Sequence, residues 1–255
     1  MLIFGYVKFG LIGNMIISGL TLANVGYVVD NKPGLAGSLA FNGGSNGSGS
    51  FLSLSPGFTM GSGAYTIEGW IYLPNFTSAY GILGNFAIPN GPMSLFVTNS
   101  TTFSTDSYGG GGAFSYTVPT MSANTWYYFA LTRNGSSQST LFLGKTPGGS
   151  AARSSTGIVT DAINYNSGGG NILNIGTYYG QNWPAGGYMT NLRVVTGSNV
   201  YDPTLTSISV PSAALTAVTN TKYLMLGNSI TTDASGIQTV TSHGTITQSS
   251  SVKPF

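Results

Sequence analysis

The feature that most constrains this fold is a succession of short apolar or alternating runs, separated by clusters of Gly, Asn, Ser and Pro. Alternation is typical of β-strands, and these small and polar residues favour turns. No stretch shows helical periodicity over three turns. The clearest run is Trp126–Arg133, which is followed by Asn134 and Gly135 and then by a second run that ends at Leu143. Asn-Gly between two such runs predicts a β-hairpin.

The same pattern predicts strands along most of the chain. They are 37–41, 50–54, 65–73, 81–85, 93–98, 113–117, 126–133, 139–143, 171–176, 187–196 and 222–225. Many short strands without helices pack as two sheets. We therefore predict an all-β fold, a two-sheet antiparallel β-sandwich of the jelly-roll type. The expected segments are an apolar arm (1–36), the sandwich (37–227) and a Ser/Thr-rich segment that closes on it (228–255).

The N-terminal part contains an uncharged stretch, 9–29, between Lys8 and Asp30. Its length would permit a membrane span, but its several Gly and Asn residues argue against one. A signal peptide with a cleavage site near Ala23 is a second interpretation. The third is one or two strands that complete the sheet of a neighbouring subunit. These alternatives stay open, and we expect no membrane span.

Charge is scarce, with eight basic and six acidic residues in 255, or 5% charged residues against about 25% in soluble domains. The basic residues are scattered, so the chain offers no surface for tracking nucleic-acid phosphates. A surface with few charges resists association poorly. The composition therefore favours a protein that is permanently part of an assembly, or one that is solvated mainly by hydroxyls and amides.

Side chains that could take part in catalysis or bind a metal are equally scarce. Glu68 is the only glutamate, His243 is the only histidine, and cysteine is absent. This excludes thiol nucleophiles, disulfides and ordinary zinc sites, and a Ser-His-Asp triad would have to use His243. The aspartates form no Asp-x-Asp motif that would favour calcium. We predict no catalytic residue, no metal ligand and no cofactor, with calcium on backbone carbonyls as the remaining alternative.

Several strings, taken in order, resemble the concanavalin A-like lectin/glucanase superfamily in its laminin-G-like branch, over roughly residues 37–227. They are 38–43, 65–72, 126–133, 175–176 and 187–194. Further strings at 192–197, 200–203 and 215–222 resemble domains of phage virion proteins and bacterial surface proteins. The resemblance implies a jelly roll with a recognition role that is usually non-enzymatic. The Glu-x-Asp-x-Glu catalytic strand of the glucanase relatives is absent here.

The segment 178–186 carries the strongest candidate binding residues. Aromatic rings stack on the C–H faces of sugars, amides bond sugar hydroxyls, and exposed aromatics also anchor protein interfaces. The candidate glycan-binding or interface residues are Trp183, Tyr178, Tyr179, Asn182, Gln181 and, beside a run of glycines, Tyr108. Local packing of the loop is a third interpretation. Glu68 should share a face with Trp70 and contact either the backbone or an arginine, with Arg133 and Arg193 as candidates; a metal or sugar role is the alternative.

The leading hypothesis is a non-enzymatic structural protein of a phage virion, a capsid decoration or a tail or fibre subunit. Its expected partners are copies of itself, other virion proteins and cell-surface glycans. The alternative is a secreted adhesin or extracellular filament subunit of the same fold, located at a bacterial surface and assembling through its N-terminal strand.

Overall fold

A computed structural model describes residues 35–44, 48–85, 93–107, 114–165, 173–178 and 184–255, all within one unit, Lys32–Phe255. Over these residues the regular secondary structure is entirely β-strand, and no helix there is long and apolar enough to cross a bilayer. The strands predicted within 9–29 lie outside the described residues. The strands are β1 Ser38–Asn42, β2 Phe51–Ser55, β3 Tyr65–Tyr72, β4 Tyr80–Asn85, β5 Met93–Asn99, β6 Thr102–Ser107, β7 Phe114–Thr117, β8 Trp126–Arg133, β9 Gln138–Gly144, β10 Ser150–Arg153, β11 Val159–Thr160, β12 Leu173–Ile175, β13 Gly186–Thr196, β14 Ser207–Ser209, β15 Thr221–Met225, β16 Thr239–His243 and β17 Ile246–Ser249.

The strands form two antiparallel sheets, which confirms the predicted all-β sandwich. The larger sheet has the order β14-β10-β9-β8-β3-β13-β1-β17, with β11 beside β9 and β15 beside β13. The smaller sheet has the order β16-β2-β12-β4-β5-β6-β7. β16 pairs with β2 and β17 pairs with β1, so the last two strands belong to different sheets.

The missed strands are β6, β10, β11, β14, β16 and β17. They are short or rich in Ser and Thr, so they lack the apolar alternation that marks a strand in sequence. In β6, for example, Thr105 and Ser107 occupy buried positions beside Phe103. When Ser and Thr occupy core-facing positions, the sequence no longer alternates between apolar and polar residues, so the strand is not recognised.

The predicted hairpin joins β8 to β9, but its turn differs from the expected one. Arg133 pairs with Ser139, and the left-handed residue is Ser137 (φ 61°) rather than Asn134 or Gly135. Asn134 Oδ1 accepts hydrogen bonds from the backbone N–H groups of Ser136 and Gln138, both at 3.0 Å. This side-chain bonding lengthens the loop beyond two residues.

The main core lies between the sheets, and a second cluster covers part of the outer face of the larger sheet. Trp70, Tyr128 and Phe142 pack there against Ile208 and Val210 from the chain after β13. Trp70 is fully buried, as expected of a core tryptophan, but in this outer cluster. Trp126, two residues before Tyr128 on the same face of β8, is only half-buried and packs against this cluster.

A buried ion pair fastens this covering to the sheet. Arg193 donates from Nε and Nη2 to Glu68 Oε1, at 2.9 and 2.6 Å. Tyr128 and Tyr201 donate their hydroxyls to Glu68 Oε2, at 2.6 and 2.9 Å. Arg193 also donates to the carbonyl of Thr216, at 2.7 Å. Glu68 therefore has Arg193, of the two expected arginines, as its partner, and the parts of segment 198–217 before and after edge strand β14 are held on the outer face of the larger sheet.

Arg133, the other expected partner, is buried elsewhere. It pairs with Asp161, Nη1 to Oδ1 at 3.2 Å, and donates to the carbonyls of Gly61 and Gly63. Tyr65 and Tyr165 donate their hydroxyls to Asp161 Oδ2, at 3.0 and 3.1 Å. This cluster joins three loops at one end of the sandwich, and its charges are neutralised inside the fold.

Candidate functional site

The outer face of the smaller sheet is the counterpart of the covered face, and its side chains are mostly hydroxyls. By register its outward residues are Phe51, Ser53, Ser55, Gly81, Gly84, Ser94, Phe96, Thr98, Thr102, Ser104, Asp106, Ser115, Thr117, Asn174, Thr239, Thr241 and His243. Among these described positions only Asp106 and His243 are titratable. The face can therefore offer hydrogen bonds over a wide area with almost no charge.

Two glycines in β4 let the loop that follows β12 lie directly on this face. A Cβ at Gly84 would lie 1.6 Å from the carbonyl oxygen of Tyr178, and one at Gly81 would lie 2.1 Å from the carbonyl carbon of Thr177. Real Cβ atoms do not approach other atoms so closely. Because Gly81 and Gly84 have no side chain, the first residues of the β12–β13 loop can lie directly against β4.

Tyr178 is the first aromatic residue of that loop, and it lies across β5 and β6. Its hydroxyl donates to Asp106 Oδ2, and its carbonyl accepts a hydrogen bond from Ser94 Oγ at 2.9 Å. Its ring packs edge-on against Phe96, with 4.5 Å between centroids. Burial, followed by the hydrogen bond to Asp106 and the charge of that carboxylate, raises the pKa of Tyr178 above its ordinary value. Tyr178 is therefore a fixed, neutral donor at physiological pH.

On the other side of the same face, His243 and Phe51 form a second aromatic feature. Their rings stack at 4.3 Å between centroids and 6° between planes, and His243 Nε2 lies 2.9 Å from Ser53 Oγ. A serine and a histidine are thus in contact. Of the described carboxylates none hydrogen-bonds His243, so the pair lacks the acid that would orient the imidazole in a catalytic triad.

The aspartates considered for calcium have separate positions. Asp161 is inside the arginine cluster, Asp106 is bonded to Tyr178, and Asp202 begins a turn in which its Oδ1 accepts from the N–H and Oγ1 of Thr204. These hydrogen bonds lower the pKa of Asp202. In the described part of the chain no three His, Asp or Glu side chains come together as a metal site.

Of the candidate residues, the structure places Tyr178 on the outer face of the smaller sheet. Tyr179, Gln181, Asn182, Trp183 and Tyr108 lie outside the described residues, so their roles stay predictions. Sequence reasoning missed Ser94 and Phe96, and it considered Asp106 only among the aspartates that lack a calcium-binding motif. The alternation in β5, with Met, Leu and Val inward, could have identified its outward residues. That Asp106 lies beside Tyr178 follows only from strand pairing.

The comparisons with known proteins concern the fold. A family profile described as the concanavalin A-like lectin/glucanases superfamily matches residues 46–198. No curated protein matches the sequence at a significant level. A solved structure of a candidate carbohydrate-binding protein from Bacteroides ovatus has 20% identity and a TM-score of 0.58, covering 84% of this chain and 60% of that chain. This chain therefore spans less than two thirds of that protein.

Two further structures are more distant. A heptameric SAP-like pentraxin from Limulus polyphemus has 14% identity and a TM-score of 0.48, covering 67% of this chain and 79% of the pentraxin. Domains LG4-5 of the mouse laminin alpha1 chain have 10% identity and a TM-score of 0.46, covering 69% of this chain and 46% of theirs.

Proposed function

This chain belongs to the concanavalin A-like lectin/glucanases superfamily, and on that premise we propose that it is a non-enzymatic protein that binds glycans on the outer face of its smaller sheet. The observation that carries the proposal is the placement of Tyr178 over Ser94, Phe96 and Asp106. Ring, hydroxyl and carboxylate groups are thereby fixed beside a wide hydroxyl surface. Sugar ligands need this combination of an apolar ring and converging polar groups.

The charge on this face indicates the class of glycan. Its outward described residues include the carboxylate of Asp106 and no lysine or arginine. An anionic sugar would meet a like charge without a compensating cation. The proposed ligands are therefore neutral glycans. The Bacteroides ovatus protein, described as a candidate for carbohydrate binding, is in line with this function, but the proposal rests on the face itself.

A non-enzymatic role is supported by how the reactive side chains are used. The only glutamate is buried in the ion pair with Arg193, and the contact of His243 with Ser53 involves none of the described acids. General acid–base catalysis requires a titratable group within reach of a substrate. The described face offers such groups only as Asp106, bonded to Tyr178, and His243, stacked on Phe51.

A glycan array with matched variants tests the binding proposal. Tyr178→Phe removes the hydroxyl and keeps the ring, and Trp183→Ala tests the predicted loop residue. Both should weaken binding to neutral glycans, whereas Leu205→Ala, at an exposed position of the segment that covers the larger sheet, should not. Equal binding by wild type, Tyr178→Phe and Trp183→Ala would contradict the proposal.

For location, we propose the surface of a phage virion, with other copies of the chain or other virion proteins as partners. Support comes from the strings that resemble virion domains and from the scarcity of charge, which favours permanent assembly. Mass spectrometry of purified particles should detect the chain at a stoichiometric level. Its absence from particles and recovery at a bacterial surface would favour the adhesin instead.

A further inference from the structure

Three aromatic side chains stand together on the outer face of the larger sheet, at the end that segment 198–217 leaves uncovered. Tyr72 pairs directly with Trp126 on β8 and with Tyr188 on β13. The ring centroids of Tyr72 lie 5.5 Å from those of both neighbours, and those of Trp126 and Tyr188 are 6.5 Å apart. All three side chains are half-buried. We call these three residues the aromatic cluster.

Packing alone explains part of this arrangement. Aromatic pairs on neighbouring strands stabilise a sheet, and Trp126 also contacts the second hydrophobic cluster. The adjacent pair Trp70 and Tyr128 is different, because Phe255 packs on Trp70 at 5.8 Å between ring centroids. Among the described residues, the aromatic ring pairs of the cluster are all between its own members, and each of the three side chains stays partly exposed.

The polar atoms of the cluster distinguish it from a packing motif. Within the described part of the chain the hydroxyls of Tyr72 and Tyr188 and the indole N–H of Trp126 have no hydrogen-bond partner. Other tyrosines, such as Tyr65 and Tyr80, have their hydroxyls bonded to side chains. Three hydrogen-bonding groups on half-buried rings are thus available to a ligand.

We propose that the aromatic cluster is a second binding site, separate from the smaller sheet, and that its ligand is a neutral pyranose oligosaccharide. The rings match the C–H faces of pyranoses, and sugar hydroxyls would pair with the two phenols and the indole N–H. The residues next in register beyond Tyr188 are Ala40 and Thr247, which are uncharged. On the side of β1 and β17, the cluster therefore has no cation for an acidic sugar.

The same polar atoms argue against a second copy of the chain as the occupant. A dry protein interface would bury the phenols and the indole N–H, and each would cost free energy unless a partner group matched it. Each linked pyranose unit carries several free hydroxyls, so an oligosaccharide can match all three. Self-association through the cluster is accordingly the competing outcome of the test.

The test is isothermal titration calorimetry with cellohexaose, maltohexaose and mannohexaose, and with an oligogalacturonate as the acidic counterpart. At least one neutral hexasaccharide should bind wild type more tightly than the acidic one. Trp126→Ala should weaken its binding to this site about tenfold or more. The double variant Tyr72→Phe/Tyr188→Phe keeps the rings and should weaken it less. Ile237→Ala, at an apolar position that is 46% exposed, is the control and should bind as wild type.

The outcomes separate this proposal from the proposed function. Tyr178→Phe should leave the aromatic cluster's binding unchanged and should weaken only binding at the smaller sheet. If Trp126→Ala and the double phenylalanine variant both bind every hexasaccharide as wild type does, or if wild type binds none, the second site is refuted. It is also refuted if sedimentation velocity shows a wild-type dimer that Trp126→Ala converts to a monomer. The double variant changes no ring, so it remains informative if Trp126→Ala does not fold.

Discussion

The two outer faces of the sandwich differ in how they use charge. On the larger sheet, Glu68 and Arg193 form a buried pair that holds segment 198–217 in place. On the smaller sheet, the carboxylate of Asp106 is half-buried and bonded to a loop tyrosine amid many hydroxyls. In a chain with so few charges, one face uses a buried ion pair to close the fold, and the other keeps a carboxylate and many hydroxyls near its surface.

The largest expected effect tests whether the ion pair holds the covered face together. Glu68→Ala leaves Arg193 buried without its carboxylate and removes the acceptor of the Tyr128 and Tyr201 hydroxyls. We expect a loss of about 3–5 kcal/mol in the free energy of unfolding, because an uncompensated buried charge is costly. Urea denaturation measures it, with Asp202→Ala as the exposed control. A loss below about 1 kcal/mol would mean that the pair does not hold this face.

A smaller loss of stability is expected from a change at the outer face of the smaller sheet. Gly84→Ala places a Cβ on the carbonyl oxygen of Tyr178 and should displace the β12–β13 loop, at a cost of about 1–3 kcal/mol. Gly135→Ala is the matched control, because a Cβ there meets nothing within 4 Å. Glycan binding should fall in Gly84→Ala only. If Gly84→Ala bound glycans as wild type does, the position of the β12–β13 loop would not matter for glycan binding.

The acid dependence of stability provides a third test, at the chain after β15. Asp233 accepts hydrogen bonds from the N–H of Leu224, from Ser235 and from the N–H of Gln238. Burial would raise the pKa of Asp233, but these hydrogen bonds outweigh it and the pKa lies below its ordinary value. The ionised carboxylate therefore stabilises the fold above its unfolded pKa of about 3.9, and this contribution is lost as the pH falls through the folded pKa.

Asp233→Asn should accordingly cost about 1–2 kcal/mol at neutral pH and reduce the loss of stability on acidification. Thermal melts at neutral and acidic pH measure both effects. Asp202→Asn, which removes an exposed turn carboxylate, should change stability less. A wild-type melting temperature that does not fall with pH would argue against this role for Asp233.

The smallest effect on stability is expected at Asp106, on the outer face of the smaller sheet. Asp106→Asn should change the free energy of unfolding by less than about 1 kcal/mol, since the carboxylate is partly solvated. It should lower the pKa of Tyr178, because the charge that helps to raise it is removed. Titration of ¹³C-labelled tyrosine by NMR measures that shift. A Tyr178 resonance that titrates as in wild type would show that Asp106 does not set its environment.

Sequence reasoning predicted most of the strands and the sandwich, because alternation in runs such as β3 and β8 is a local property. It predicted Tyr178 as a site residue from its neighbours in the loop. It did not find the aromatic cluster, because Tyr72, Trp126 and Tyr188 are far apart in sequence and meet only through register. It also left two partners open for Glu68.

The partner of Glu68 could not be predicted from the sequence, because it depends on a β-bulge. Arg193 lies opposite Glu68 because the pairing of β13 with β3 shifts by one residue between Thr190 and Arg193, where Asn191 has a left-handed backbone (φ 53°). A bulge of this kind moves a side chain from one face of a sheet to the other. Without the bulge, the side chain of Arg193 would lie on the opposite face of the sheet from Glu68.

Strand periodicity and composition do not depend on distant contacts, so they were sufficient to predict the all-β class of fold and to show how few charged groups the chain has. Tertiary structure alone decided which outer face is covered, which arginine neutralises Glu68 and which aromatic rings come together. Those outcomes depend on strand order and register, and both are set by the packing of residues that are distant in the chain.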